Sequence, residues 1–144
     1  MKIIILEDEK LAINRLVRML EELRPDIHVI AKLSSFEEAK EYFTNNITNK
    51  TDVLFFDMQL GDGLSLDLFD RCKIQGILIF TTAYDQYAIQ AFKVKAVDYL
   101  LKPIKINELK ELLDRIDEII ENEMRIEFDS LIERGKNKQL RFLH

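Results

Sequence analysis

Four charged residues and one hydroxyl sit where short apolar runs end. Glu7 and Asp8 follow Ile3-Ile4-Ile5-Leu6, Asp57 follows Val53-Leu54-Phe55-Phe56, Thr82 closes Ile77-Leu78-Ile79-Phe80-Thr81, and Lys102 follows Asp98-Tyr99-Leu100-Leu101. In an open parallel sheet such ends share one edge, and ligands bind just beyond it. Three carboxylates brought together repel unless a cation intervenes, and oxygen ligands suit a hard ion such as Mg²⁺, which keeps waters for phosphate oxygens. Lys102 adds a fixed positive charge and Thr82 a donor, both useful on a phosphoryl group. Together they describe a site that receives phosphate. Each residue alone has a plainer reading. Asp57 could end its strand or cap a helix, and Glu7 and Asp8 could cap the helix that starts near Lys10. Thr82 could be an ordinary strand residue, Lys102 a turn before Pro103, and Tyr99 a core aromatic.

The elements that must position these groups follow from periodicity. Apolar-rich runs at 2–6, 27–31, 52–57, 77–82 and 96–101 predict five strands, and the four consecutive apolar residues Val53–Phe56 suggest one buried on both faces. Ile13, Leu16, Val17, Leu20 and Leu23 recur at helical spacing and should end before Pro25. Ser34 and Ser35, followed three residues on by Glu37 and Glu38, give overlapping capping boxes for a second helix. A short helix is predicted over Leu64 to Cys72, a fourth over Gln86 to Val94, and a fifth carrying Leu109, Leu112, Leu113, Ile116, Ile119 and Ile120. Strands alternating with helices predict a flavodoxin-like (βα)5, doubly wound α/β fold with a parallel sheet in the order 2-1-3-4-5. That order makes strands 1 and 3 neighbours, so Glu7, Asp8 and Asp57 converge.

Composition narrows the classes. The 144 residues fit one domain, and the formal net charge of -5 argues against a free-standing nucleic-acid binder. The lone Cys72 cannot form an internal disulfide and is read as an inert thiol, which fits a reducing compartment. No apolar run approaches a signal-peptide core or a membrane span, so a cytoplasmic protein without membrane contact is expected. Charge changes sign along the C-terminal part. Ten acids face Lys110, Arg115 and Arg125 between Ile106 and Glu133, whereas Arg134 to His144 carries four bases and no acid. Such a switch marks a boundary or linker.

The segments Ile-Leu-Glu7-Asp8-Glu, Leu-Phe-Phe-Asp57-Met, Phe-Thr-Thr82-Ala83-Tyr and Asp-Tyr99-Leu-Leu-Lys102-Pro103 appear in an order and spacing that resemble the receiver domain of two-component response regulators. The resemblance covers residues 1 to about 122. It implies that Asp57 is the phosphoacceptor, taking phosphate from a phosphohistidine on a sensor histidine kinase. It further implies that Asp8, Asp57 and the Gln59 backbone carbonyl bind Mg²⁺, with Glu7 acting through water. Mg²⁺ and Lys102 would neutralise the phosphoryl group. Thr82 would then hydrogen-bond a phosphoryl oxygen, and Tyr99 would turn inward as a rotamer switch. No enzyme activity is implied beyond self-phosphorylation and self-dephosphorylation. Many receivers carry proline where this chain has Gln59, and Asp where it has Glu7. The first departure, with Tyr84 nearby, bears on phosphate lifetime, while the second still suits a water-mediated ligand.

The wording around Asp57 and after Thr82 is similar to receivers of the LytTR type (LytR/AlgR), which are joined to a DNA-binding domain. The expected division is a receiver over 1–122 and, over 123–144, a helical extension and basic linker towards an effector domain absent from this chain. DNA would then be bound only through that missing domain, and the whole would switch transcription. The alternative is a stand-alone single-domain receiver acting as a phosphorylation-dependent protein-binding module. Homodimerisation on phosphorylation is expected through helix 4, strand 5 and helix 5, a face including Ala88, Ile89, Phe92, Lys93, Lys95 and Asp98. An aspartate-nucleophile phosphatase would need an acid at Gln59, and a flavin-type phosphate loop would be repelled by Glu7-Asp8-Glu9.

Overall fold

The computed structural model describes residues 1–46, 51–83 and 96–142, with side chains through Lys136. The elements in chain order are β1 (Lys2–Leu6), α1 (Lys10–Leu23), β2 (His28–Leu33), α2 (Phe36–Asn45), β3 (Val53–Asp57), β4 (Gln59–Leu60), β5 (Gly63–Leu64), a 3-10 helix (Ser65–Asp70), β6 (Ile77–Thr82), β7 (Asp98–Leu101) and α3 (Ile106–Phe142). Five strands pair in parallel in the order β2-β1-β3-β6-β7. With the small antiparallel β4–β5 hairpin set aside, this is the 2-1-3-4-5 order of the flavodoxin-like fold.

Apolar runs become central strands because both of their faces are covered. All five residues of β3 are buried, as are Ile3 to Leu6 of β1, whereas β2, at the sheet edge, buries only Leu33 fully. One face sends Ile4, Leu6, Leu54, Phe56, Leu78 and Phe80 into a cluster with Phe36, Ala39 and Phe43 of α2 and Leu68 of the 3-10 helix. On the other face Ile5 and Phe55 share a cleft with Leu16 and Met19 of α1. α1 ends at Leu23, ahead of Pro25 as expected, and the Arg15 guanidinium reaches the Ile104 carbonyl at 3.3 Å. Gly76 opens β6 at a φ of +136°, where a Cβ would lie 3.1 Å from the Thr51 carbonyl oxygen, so only glycine fits without strain.

The capping boxes resolve into one interlocked start for α2. Ser35 is the N-cap, its Oγ accepting from the Glu38 amide at 3.1 Å, while the Glu38 carboxylate reaches back to the Ser34 amide and hydroxyl. A third cap comes from far along the chain. The Asp62 carboxylate accepts from the Phe36 and Glu37 amides at 2.8 and 3.2 Å.

Three expectations change. The helix expected over Leu64 to Cys72 is instead β5 followed by a 3-10 turn, because Ser65 is buried and its amide and hydroxyl both donate to the Met58 carbonyl. β7 begins at Asp98 rather than Ala96, and β2 runs on to Leu33. The helix expected over Gln86 to Val94, together with Tyr84, lies outside the described residues.

The chain divides into two units, Met1–Leu109 and Lys110–His144. Within the second, Leu112, Leu113 and Ile116 are buried, and every side chain from Glu121 to Lys136 is exposed. The helix continues through Gly135 and the basic stretch to Phe142.

Candidate functional site

The sheet's hydrogen-bond ladders run one residue past the formal strand ends, and this fixes the backbone that carries the site. The Glu7 amide donates to Leu33, the Met58 amide to Thr81 and the Lys102 amide to Thr82, at 2.8–2.9 Å. Glu7, Asp57 and Lys102 are thereby held at one edge although they come from three separate strands.

Glu7 and Asp57 are buried, at 5% and 6% exposure, and Asp8 is exposed. Carboxylate oxygens of all three lie within 4.8 Å of one another. The Lys102 ammonium donates to Asp57 Oδ2 at 3.2 Å and also to Glu7 Oε1. The remaining contacts rule out the simple capping role for these acids. Glu9 is the N-cap of α1 and makes no side-chain cap. Glu7 Oε2 accepts from the Glu9 amide at 3.1 Å, and Asp8 Oδ2 accepts from the Gly61 amide at 2.9 Å, tying the first strand end to the turn after Asp57.

The electrostatics follow from that crowding. Burial, and next the charge of Glu7, push the Asp57 carboxyl up to about 7, against the opposing pull of Lys102. Burial works to raise Glu7 too, but the hydrogen bond from Lys102 and those from the Glu9 amide and Asp57 outweigh it, so Glu7 is lowered. Asp8 is raised, by burial first and then by Glu7. Burial disfavours the Lys102 ammonium, yet its hydrogen bond to Glu7 and the charge of Asp57 hold it above the ordinary lysine value. Of the two buried acids, Asp57 is shifted towards the protonated form and Glu7 away from it.

Three carboxylates against one ammonium leave two negative charges, which a divalent cation would balance. All the donors are oxygens, and Asp8 keeps one side open to solvent. The residues therefore fit a hydrated hard cation such as Mg²⁺.

The other predicted residues fall at the same edge with less direct contact. Thr82 is buried at 2% exposure and lies one residue past the Asp57–Thr81 pair. Tyr99 pairs in register with Phe80 and packs, half buried, against the core cluster. The amide of Gln59 donates to Asp57 Oδ1 at 3.4 Å. Residues Ala88, Ile89, Phe92, Lys93 and Lys95 of the expected dimer face lie outside the described residues. Asp62 was not singled out from the sequence. Its two backbone partners hold its carboxyl below the ordinary range, the Phe36 amide most strongly. The only local signal is an acid between two glycines, since its partners are 25 and 26 residues away.

Comparison with known proteins agrees with this geometry. Residues 3–114 match the family model described as the response regulator receiver domain. The chain is 34% identical over 118 residues to the sensory transduction protein LytT of Bacillus anthracis, covering 80% of this chain and 46% of that protein. It is also 34% identical over 119 residues to the transcriptional regulatory protein LytR of Staphylococcus aureus, covering 81% and 47%. The chain thus spans about half the length of the curated relatives it matches. Among solved structures it is similar to the response regulatory domain of mrkE from Klebsiella pneumoniae, at 26% identity and a TM-score of 0.72 over 85% of this chain and 99% of that one. The REC domain of AraT from Geobacillus stearothermophilus follows at 28% identity and a TM-score of 0.66, covering 85% and 97%.

Proposed function

We propose, for a chain that belongs to the response regulator receiver domain family, that Asp57 accepts a phosphoryl group from a phosphohistidine of a sensor kinase. One observation carries the reading: Lys102 bridges Glu7 and Asp57 inside a cluster of three carboxylates at the sheet edge. An Asp57 oxygen forms the new bond to phosphorus as the phosphorus–nitrogen bond of the donor breaks, leaving the donor imidazole to take a proton from solvent. Lys102, already within reach of Asp57, meets the incoming charge without having to be recruited. Its hydrogen bond to Asp57 also favours the ionised carboxylate, the form that attacks. Asp8, Asp57 and the Gln59 carbonyl would hold Mg²⁺, with Glu7 acting through water, and the ion when bound would supply positive charge to the phosphoryl oxygens. Thr82 and Tyr99 complete the switch, the first as donor to the phosphoryl group and the second as the aromatic that follows it. We place the receiver over residues 1–122 and a helical, basic extension over 123–144.

Catalysis in this reading is limited to gaining and losing that phosphate. The whole protein, like relatives whose names mark them as sensory and transcriptional regulators, would work in the cytoplasm and switch transcription, binding DNA through a domain other than this one. Dimerisation on phosphorylation through helix 4, strand 5 and helix 5 belongs to the same proposal. The test is mass spectrometry after acetyl phosphate and Mg²⁺. Wild type gains one phosphate and Asp57→Asn gains none. No gain in wild type, or an equal gain in the variant, sinks the assignment of Asp57.

A further inference from the structure

We propose that Asp62 is a positioning residue for the cation site, holding Asp8 and the Gln59 carbonyl in place by fastening their hairpin to the start of α2. The role rests on the reading that Asp8, Asp57 and the Gln59 carbonyl hold Mg²⁺. Gly61 and Asp62 form the turn between β4 and β5, and from this turn bonds leave in two directions. The Asp62 carboxylate accepts from the Phe36 and Glu37 amides at 2.8 and 3.2 Å, and the neighbouring Gly61 amide donates to Asp8 Oδ2 at 2.9 Å. Leu33, just ahead of α2, accepts from the Glu7 amide at 2.9 Å. The bonds close a ring that runs from Glu7-Asp8 through Gly61-Asp62 and Phe36 to Leu33, and back to Glu7.

Capping alone does not account for Asp62. α2 already has a local cap, since Ser35 accepts from the Glu38 amide and the Glu38 carboxylate binds Ser34. Water could serve the Glu37 amide at its exposed position. What water cannot do is tether the hairpin. Its strands are two residues each, too short to fix a turn by themselves. The flanks are anchored by buried Leu60 and by Gly63, where a Cβ would lie 3.4 Å from the Phe36 ring. The tip is polar and exposed at both Gly61 and Asp62, and Asp62 is what fastens it. On this hairpin ride the Gln59 carbonyl and the Gly61 amide that holds one oxygen of Asp8. Asp8 is itself exposed, so that amide rather than packing sets its orientation.

The test is calorimetric titration of the full 144-residue chain with MgCl₂ at constant ionic strength, as wild type, Asp62→Ala, Asp62→Asn and Ser35→Ala. Asp62→Ala should raise the Mg²⁺ dissociation constant about tenfold, the low end of what losing an outer partner costs a metal site. Ser35→Ala removes the other cap of the same helix. It should lower the urea midpoint comparably to Asp62→Ala and leave Mg²⁺ affinity unchanged. Asp62→Asn keeps one acceptor oxygen and should recover most of the affinity. Without metal, the Gly61 amide followed by nuclear magnetic resonance should exchange with solvent several-fold faster in Asp62→Ala, and no faster in Ser35→Ala. Wild-type affinity in Asp62→Ala overturns the positioning role and leaves the cation site standing. Equal losses in Asp62→Ala and Ser35→Ala overturn it too, reducing Asp62 to a helix cap. An Asn variant as weak as the Ala variant overturns the hydrogen-bonded ring and assigns the effect to the charge of Asp62. Wild type that binds no Mg²⁺ overturns the cation site, and with it the purpose assigned to Asp62, while Gly61 exchange still reports the ring.

Discussion

Asp57 and Phe128 are inversions of one another. The first is a carboxylate left 6% exposed at the end of a strand that is buried throughout, and the second is a phenyl ring left 62% exposed on a helix rich in acids. Folding alone selects against both. Their neighbours show what conformity looks like: Phe56, adjacent to Asp57, is fully buried among Phe43, Phe69 and the core aliphatics, while Arg125 and Asp129 flank Phe128 in solvent. A residue that breaks the inside–outside rule while its neighbours keep it marks a place where the protein meets something else. At Asp57 this is the Lys102 ammonium, within a cluster of acids that fits a hard cation.

That contrast sets an order of mutational effects. Phe56→Ala should cost about 3–5 kcal/mol by leaving a cavity between two aromatic contacts, read as a lower urea midpoint at unchanged slope. A loss under about 1 kcal/mol would mean that the conforming residue is less committed to the core than its burial says.

Asp57→Asn should act in the opposite sense when metal is removed with chelator. The folded-state pKa of Asp57 stands near 7 against an ordinary 3.8, so between these values the folded chain keeps a proton that the unfolded chain has released. The group's penalty is absent below about pH 4, grows as pH rises, and is complete above about 7. Glu7, whose shift is downward, acts below pH 4.5 and leaves this window alone. Wild type should therefore lose stability from pH 5 to 7.5, on the order of 1–3 kcal/mol. The Asn variant should stay level and be the more stable of the two at pH 7.5. A wild-type midpoint that rises over that interval contradicts the burial of an ionisable Asp57.

Phe128→Ser closes the series. In dilute, monomeric solution it should move stability by no more than about 0.5 kcal/mol, because the ring has little to lose. A loss comparable to Phe56→Ala would show that the ring is already covered within a single chain.

The sequence displays the site more fully than it displays the loops. Glu7, Asp8, Asp57 and Lys102 could be placed because each ends an apolar run and a parallel sheet collects such ends on one edge. The cap on α2 from Asp62 could not, since a hydrogen bond across 26 residues leaves no local motif. The segment after Asp57 departs from its expected helix for a related reason. Leu64, Leu68 and Phe69 have spacing that an α-helix and a 3-10 turn both satisfy, and the choice was made by Ser65 bonding to Met58, a tertiary contact. The last helix was legible as amphipathic, but periodicity tells which residues share a face and not what covers it. Only the exposures of Met124, Phe128 and Leu131 separate its two halves.

Lys102 stands 95 residues from Glu7 and 45 from Asp57 along the chain. Ribosomal synthesis runs from the N-terminus, so the acids of the edge emerge first and their counter-charge emerges last. A nascent chain that has not yet delivered β7 holds Glu7, Asp8 and Asp57 with no ammonium among them, and their mutual repulsion opposes closing the sheet edge early. The balanced site thus arrives only with the final strand of the sheet, and a chain cut short before it carries the acids without their ammonium.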